Sequence, residues 1–243
     1  MPYWKRKVKP GKTIEVKKYY SRVHKTKESR LEKKNLTTEQ QEQVNIRQTI
    51  EHLRWLLNEN FREGDAHVEF TFKLECRPDT YDELVKYKDK LIKKLRREYR
   101  KQGKELKYVY VLEAGKRGAF HIHMVINDVN LRTLKDCWPY GRIFTSTLDE
   151  TGQYGKLASY LIKEKGKKKV ENYGGKAYSP SRNLKRPEVE KKVIWNRDFY
   201  KEDPEPEPGY YIDKESINRG LTKDGYPFLE YILVKIESQP QPG

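Results

Sequence analysis

An α+β fold built on a ferredoxin-like antiparallel sheet is what this sequence predicts, and three observations carry the prediction. Across residues 65–165 the pattern runs strand, helix, strand, strand, helix, strand, the split β-α-β order of such a sheet. The strand segments alternate apolar and polar positions with period two, whereas Leu84, Leu91, Leu95 and Tyr99 recur at helical spacing between about Tyr81 and Lys101. The two central strands flank Gly115, Lys116, Arg117 and Gly118, a turn signal short enough for a hairpin. Helices are expected on one face of the sheet, leaving the other face open for binding.

Composition narrows what that face can bind. The 243 residues are 35% hydrophobic and 36% charged, with mean hydropathy -1.05, so one core domain with well-solvated arms is expected. Lys and Arg number 52 against 36 Asp and Glu, a net charge of +16. Such a field favours a polyanion, since each neutralised phosphate releases counterions, and nucleic acid is the first candidate. No apolar run reaches the length of a membrane-spanning helix, and the N-terminus lacks the apolar core of a signal peptide. No membrane partner and a cytoplasmic location are therefore expected. Cys76 and Cys137 lie far apart without metal-type spacing and read as reduced thiols.

In chain order, residues 1–36 are basic and aperiodic with aromatics interleaved (Tyr3, Trp4, Tyr19, Tyr20), and read as a flexible arm able to grip a nucleic-acid backbone. Gly11-Lys12-Thr13 is not a phosphate loop, because Arg6 stands where the first glycine of the full pattern belongs. Thr37 and Thr38, each followed three residues later by Gln40 and Gln41, open a helix in capping-box style that runs to about Asn60. The core domain is expected over residues 37–200. Within it His67 to Phe72 alternates as a strand, with Val68, Phe70 and Phe72 inward and His67, Glu69 and Thr71 on the other face. A strand is expected through Arg142 to Thr145, and a basic, proline-bounded loop from Ser179 to Pro187. Residues 201–209, with Pro204, Pro206 and Pro208 separated by Glu205 and Glu207, read as an acidic connector. Residues 210–243 contain one apolar run, Phe228 to Ile236, that could add a strand before a disordered tail.

The chemistry concentrates in the hairpin. In Phe120 to Ile126, period two points His121, His123 and Val125 to one face and Phe120, Ile122, Met124 and Ile126 to the other. An odd-numbered loop centred on Arg117 puts Glu113 opposite His121, on the histidine face, whereas an even-numbered turn pairs it with Phe120. Glu69, on the neighbouring strand, is the rival carboxylate. Two imidazoles and a carboxylate form a mixed nitrogen and oxygen donor set suited to Mg²⁺, Mn²⁺ or Zn²⁺. From about Gln153 to Glu164 the pattern turns helical, and Tyr160 and Lys163 share a face three residues apart. Tyr154 is the reserve candidate for a reactive phenol.

These residues carry a resemblance. His121-Ile122-His123 resembles the histidine-hydrophobic-histidine signature of the HUH endonucleases, Tyr160-Leu161-Ile162-Lys163 matches their Y-x-x-K nucleophile motif, and Val68 to Phe72 resembles their first motif. The chain looks like a single-tyrosine rolling-circle replication initiator (Rep) of phages or mobile elements. The resemblance implies a nick in single-stranded DNA by Tyr160 with Lys163 assisting, a 5′-phosphotyrosyl intermediate, and a 3′-hydroxyl primer. It implies Mg²⁺ or Mn²⁺ held by His121, His123 and Glu113 or Glu69, no nucleotide cofactor, and a separate helicase and host polymerase as partners. Thr71, Lys116, Arg117, Lys156, Lys165, Lys167, Lys168, Arg182, Lys185 and Arg186 are the expected DNA contacts. A relaxase or single-tyrosine transposase would share the motifs. A non-catalytic DNA-binding protein would share only the charge, and a metal-dependent RNA nuclease is a weaker option that would leave free ends.

Overall fold

From residue 65 to residue 165 the secondary structure follows the order that the periodicity dictates. Strands β1 (Tyr3–Val8) and β2 (Thr13–Tyr20) come first, then helix α1 (Glu39–Asn60). The middle of the chain comprises β3 (Ala66–Phe70), α2 (Tyr81–Lys101), β4 (Tyr108–Ala114), β5 (Phe120–Ile126), α3 (Leu131–Cys137), β6 (Ile143–Thr147) and α4 (Gly155–Lys163). Strands β7 (Ser179–Pro180), β8 (Val189–Ile194), β9 (Tyr210–Leu221) and β10 (Pro227–Lys235) complete it. This computed structural model describes residues 3–20, 39–114, 119–128, 130–163, 176–195, 203–222 and 225–236. The chain divides into a unit of residues 46–185 and a second unit made of residues 1–45 and 186–243.

In the unit of residues 46–185 the sheet order is β6-β3-β5-β4-β7 with antiparallel pairing throughout. Its first four strands reproduce the ferredoxin-like order that alternating strands and crossover helices impose, and β7 adds a short edge. On one face Val68, Phe70, Ile122, Met124 and Ile126 pack with Leu84, Leu91, Leu95 and Tyr99 of α2 and Leu134 of α3. Thr80 starts α2, its side chain accepting from the Glu83 amide, while the Glu83 carboxylate accepts from the Asp79 amide. This reciprocal arrangement satisfies donors that a helix start otherwise leaves unpaired. Trp138 closes the other end of this core, donating Nε1–H to the Thr71 carbonyl at 2.9 Å. Gly141 is required there, because a Cβ on it would fall 2.0 Å from the Thr71 carbonyl oxygen.

The opposite face is not wholly open, contrary to the expectation of helices on one side only. Val109, Val111 and Val125 pack there against Leu53, Leu57 and Phe61, and against Ala158, Leu161 and Ile162 of α4. The reason lies in β4, whose unbroken apolar stretch from Tyr108 to Leu112 is buried on both sides. What stays partly exposed on this face is the end that carries Glu69 and His121. The Asn58 carboxamide of α1 accepts from the Tyr154 amide at 2.9 Å and so fixes where α4 begins.

The second unit holds a sheet of order β8-β1-β2-β10-β9, again antiparallel. Ile14, Val16, Leu229, Tyr231 and Leu233 are its buried cluster, with Tyr210, Ile212 and Ile217 packed against it. Residues 3–20, expected to belong to a flexible arm, are instead two paired strands, held because Ile14 and Val16 enter this core. Residues 21–38, including the expected cap at Thr37 and Thr38, lie outside the described residues. The domain boundary falls at 185/186, earlier than about residue 200, because β8 pairs with β1. The run from Phe228 forms β10 as expected, and it is partnered by β9. The described part of the acidic connector folds back on this unit: Glu207 accepts from Lys7, and Asp203 from Arg219 at 2.8 Å.

Candidate active site

Strand register assembles the site. Glu113 lies opposite His121 in the β4–β5 pair, the odd register, and Glu69 lies opposite His123 in the β3–β5 pair. Each carboxylate then reaches the diagonal imidazole. Glu113 Oε2 accepts from His123 Nε2 at 2.7 Å, and Glu69 Oε1 accepts from His121 Nδ1 at 2.9 Å. The two glutamates left as rivals by the sequence are both at the site, one on each flank of β5. His123 is buried and His121 is partly exposed.

A third imidazole joins them. His67 sits two residues before Glu69 on β3, so period two gives it the same face. Its Nε2 lies 3.2 Å from His123 Nδ1, with the rings 5.4 Å apart and nearly parallel. These contacts form a chain from His67 through His123 to Glu113. Burial, reinforced by the neighbouring His123, pushes the pKa of His67 down to about 4, so it is neutral near pH 7. His67 was not among the site residues expected from sequence. The signal that could have found it was the same alternation that selected Glu69.

Tyr160 completes the cluster from α4. Ala158, Leu161 and Ile162 anchor the helix in the core, while Tyr160, on the flank, is 43% exposed. Its ring meets His67 and His123 edge-on, each centroid pair 5.9 Å apart. Tyr154, the reserve phenol, is placed differently. It is buried, and its hydroxyl donates to the Asp149 carbonyl at 3.1 Å.

Two imidazoles and two carboxylates on one face are donor types that suit Mg²⁺ or Mn²⁺. Here those donors are joined to one another by hydrogen bonds, and among the described residues no three of them converge in metal-holding geometry. Of the expected DNA contacts, Lys156, Arg182 and Lys185 are exposed on this unit and Arg186 is exposed on the other. The Thr71 hydroxyl is engaged by the backbone of Arg142, donating to its carbonyl and accepting from its amide. Lys116, Arg117, Lys165, Lys167 and Lys168 lie outside the described residues, as does the side chain of Lys163 at the end of α4.

Residues 65–165 match the family model of replication-associated protein ORF2/G2P. The match runs from the start of β3 to just past α4 and covers less than half of the chain. No curated protein and no solved structure matches. The likeness points to a role in replication initiation. No helix among the described residues is long and apolar enough to cross a membrane.

Proposed function

We propose, from the likeness of residues 65–165 to replication-associated proteins and the geometry of the site, that this unit is an HUH-type endonuclease. It nicks and rejoins single-stranded DNA at a rolling-circle replication origin. The observation that supports this most is the position of Tyr160, whose ring lies 5.9 Å from those of both His67 and His123, the latter hydrogen-bonded to Glu113.

In the reaction the Tyr160 oxygen attacks the scissile phosphorus. A tyrosyl P–O bond forms, the bond from phosphorus to the 3′-oxygen breaks, and that oxygen takes up a proton as the phenol gives one up. A free phenol has a pKa of about 10, so its deprotonation needs help. Lys163, three residues further along α4, is assigned to favour the phenolate or hold the phosphate. His121, His123, Glu113 and Glu69 would hold Mg²⁺ or Mn²⁺, which when bound supplies Lewis-acid polarisation of a phosphate oxygen. One phosphate ester replaces another, so rejoining needs no nucleotide cofactor. The released 3′-hydroxyl can prime a polymerase, and unwinding falls to a separate helicase.

The test is to incubate the protein with Mn²⁺ and a labelled single-stranded oligonucleotide pool and look for an adduct that survives SDS. An adduct that disappears in Tyr160→Phe supports the proposal. Retarded migration with no adduct would leave only a DNA-binding protein, and free cleaved ends with no adduct would point to a hydrolytic nuclease.

A further inference from the structure

Strand β6 is an edge of the sheet in the unit of residues 46–185, and it pairs with β3, the strand that carries His67 and Glu69. Register puts Phe144 directly opposite Glu69 and Ser146 directly opposite His67, so both share the face of the Tyr160 site. Packing agrees with the register. Ile143, pointing the other way, packs with the α2 side of the core, whereas Phe144 belongs to neither buried cluster of this unit.

Phe144 is 54% exposed, and an apolar ring on an exposed edge is a liability for the fold that carries it. One exposed ring is ordinary on a protein surface. This one stands about 5 Å, Cβ to Cβ, from a carboxylate of the candidate site. Arg142, the alternate position before it, is also exposed, and Thr71 holds its backbone through two hydrogen bonds. Among the described residues no carboxylate pairs with the Arg142 guanidinium. A cation, a ring and a hydroxyl thus follow one another along the edge at intervals of about 7 Å, the rise of two residues.

We propose that this edge seats single-stranded DNA beside the Tyr160 site. A base next to the scissile phosphate stacks on Phe144, and Arg142 pairs with an adjoining backbone phosphate. The ring selects single strands, because a paired duplex keeps its base faces covered by their neighbours. Stacking accepts any base, so Phe144 fixes where the strand lies and not which sequence is read. The choice of DNA and the place beside a scissile phosphate rest on the function proposed above; the stacking itself does not.

The experiment uses the full chain in the Tyr160→Phe background, which blocks covalent capture. Two fluorescein-labelled probes of equal length and charge are compared by anisotropy, a short oligothymidylate and its abasic counterpart. Phe144→Ala should weaken binding of the oligothymidylate about fivefold or more and leave binding of the abasic probe and the urea midpoint unchanged. Phe144→Leu, apolar but without a π-face, should behave like Phe144→Ala, and Phe144→Trp should keep wild-type affinity. Arg142→Gln should lower the slope of log affinity against log salt by about 0.7, the share of one single-strand phosphate contact, and keep the preference for the probe with bases.

Equal losses on both probes in Phe144→Ala would overturn the proposal, since the ring would then act through the fold and not through a base. So would unchanged affinity on the oligothymidylate, or full affinity in Phe144→Leu. The nicking chemistry is read apart from this, in the chain that retains Tyr160. A base-dependent loss in Phe144→Ala with no adduct at Tyr160 would keep the stacking seat and remove the nicking function, whereas an adduct without any base-dependent loss would do the reverse.

Discussion

His67 and His123 share a hydrogen bond across two strands of the sheet, Nε2 of the first lying 3.2 Å from Nδ1 of the second. The contact fixes the ring of His123 from one side while Glu113 fixes it from the other. Partners of this kind orient a functional imidazole, and removing one typically costs about 10- to 100-fold in activity or metal affinity.

His67→Ala should therefore slow single-turnover adduct formation by about 10- to 100-fold. His67→Gln, which can still donate a hydrogen bond, should recover part of the rate. Equal rates for wild type and His67→Ala would show that the contact does not position His123.

The two candidate phenols separate by stability. Tyr154→Phe removes a buried hydroxyl that donates to the Asp149 carbonyl, and should cost about 1 kcal/mol. It should leave the adduct yield intact. Tyr160→Phe changes a side chain that is partly exposed and should abolish the adduct with little change in urea midpoint. The reverse pattern would move the nucleophile to Tyr154.

Alkaline pH should expose a related effect. Burial raises the pKa of both Tyr99 and Tyr154 above the ordinary phenol value, so the folded chain holds these protons more tightly than the unfolded chain. Their contribution is complete below about pH 10 and is lost as pH rises beyond it. The melting temperature should fall above that pH, and less steeply in Tyr99→Phe. An identical slope in the variant would refute this assignment.

Close backbone approach makes a sharper stability test. Ala at position 141 would put a Cβ 2.0 Å from the Thr71 carbonyl oxygen and 2.6 Å from its carbon, a clash with main chain that no side-chain rotation relieves. Gly141→Ala should cost about 1 to 3 kcal/mol or more, seen as a lower urea midpoint. Because Trp138 donates to that same carbonyl, tryptophan fluorescence should shift as well.

The central sheet and its hairpin were legible because local signals carry them. Period two placed His121 and His123 together, and an odd loop aligned Glu113 with His121. The choice between Glu113 and Glu69 could not be read, since it depends on diagonal reach between strands, and the fold brings in both. The cover that α1 and α4 give to Val109, Val111 and Val125 was missed. Its trace was present in the unbroken apolar run from Tyr108 to Leu112, which an exposed-face strand does not need. Residues 3–20 were hidden by a different cause. Cations on both faces of β1 mask its alternation, and although β2 is its neighbour in sequence, its other partner β8 lies more than 180 residues away. Such non-local pairing leaves no local pattern.

The account stands most directly on the identity of the residue that becomes joined to DNA. Trapping the Mn²⁺-dependent adduct, digesting both components and mapping the modified peptide by mass spectrometry should place a 5′-phosphonucleotide on Tyr160. A nucleotide on any other residue, or cleaved DNA with no modified peptide, would contradict it.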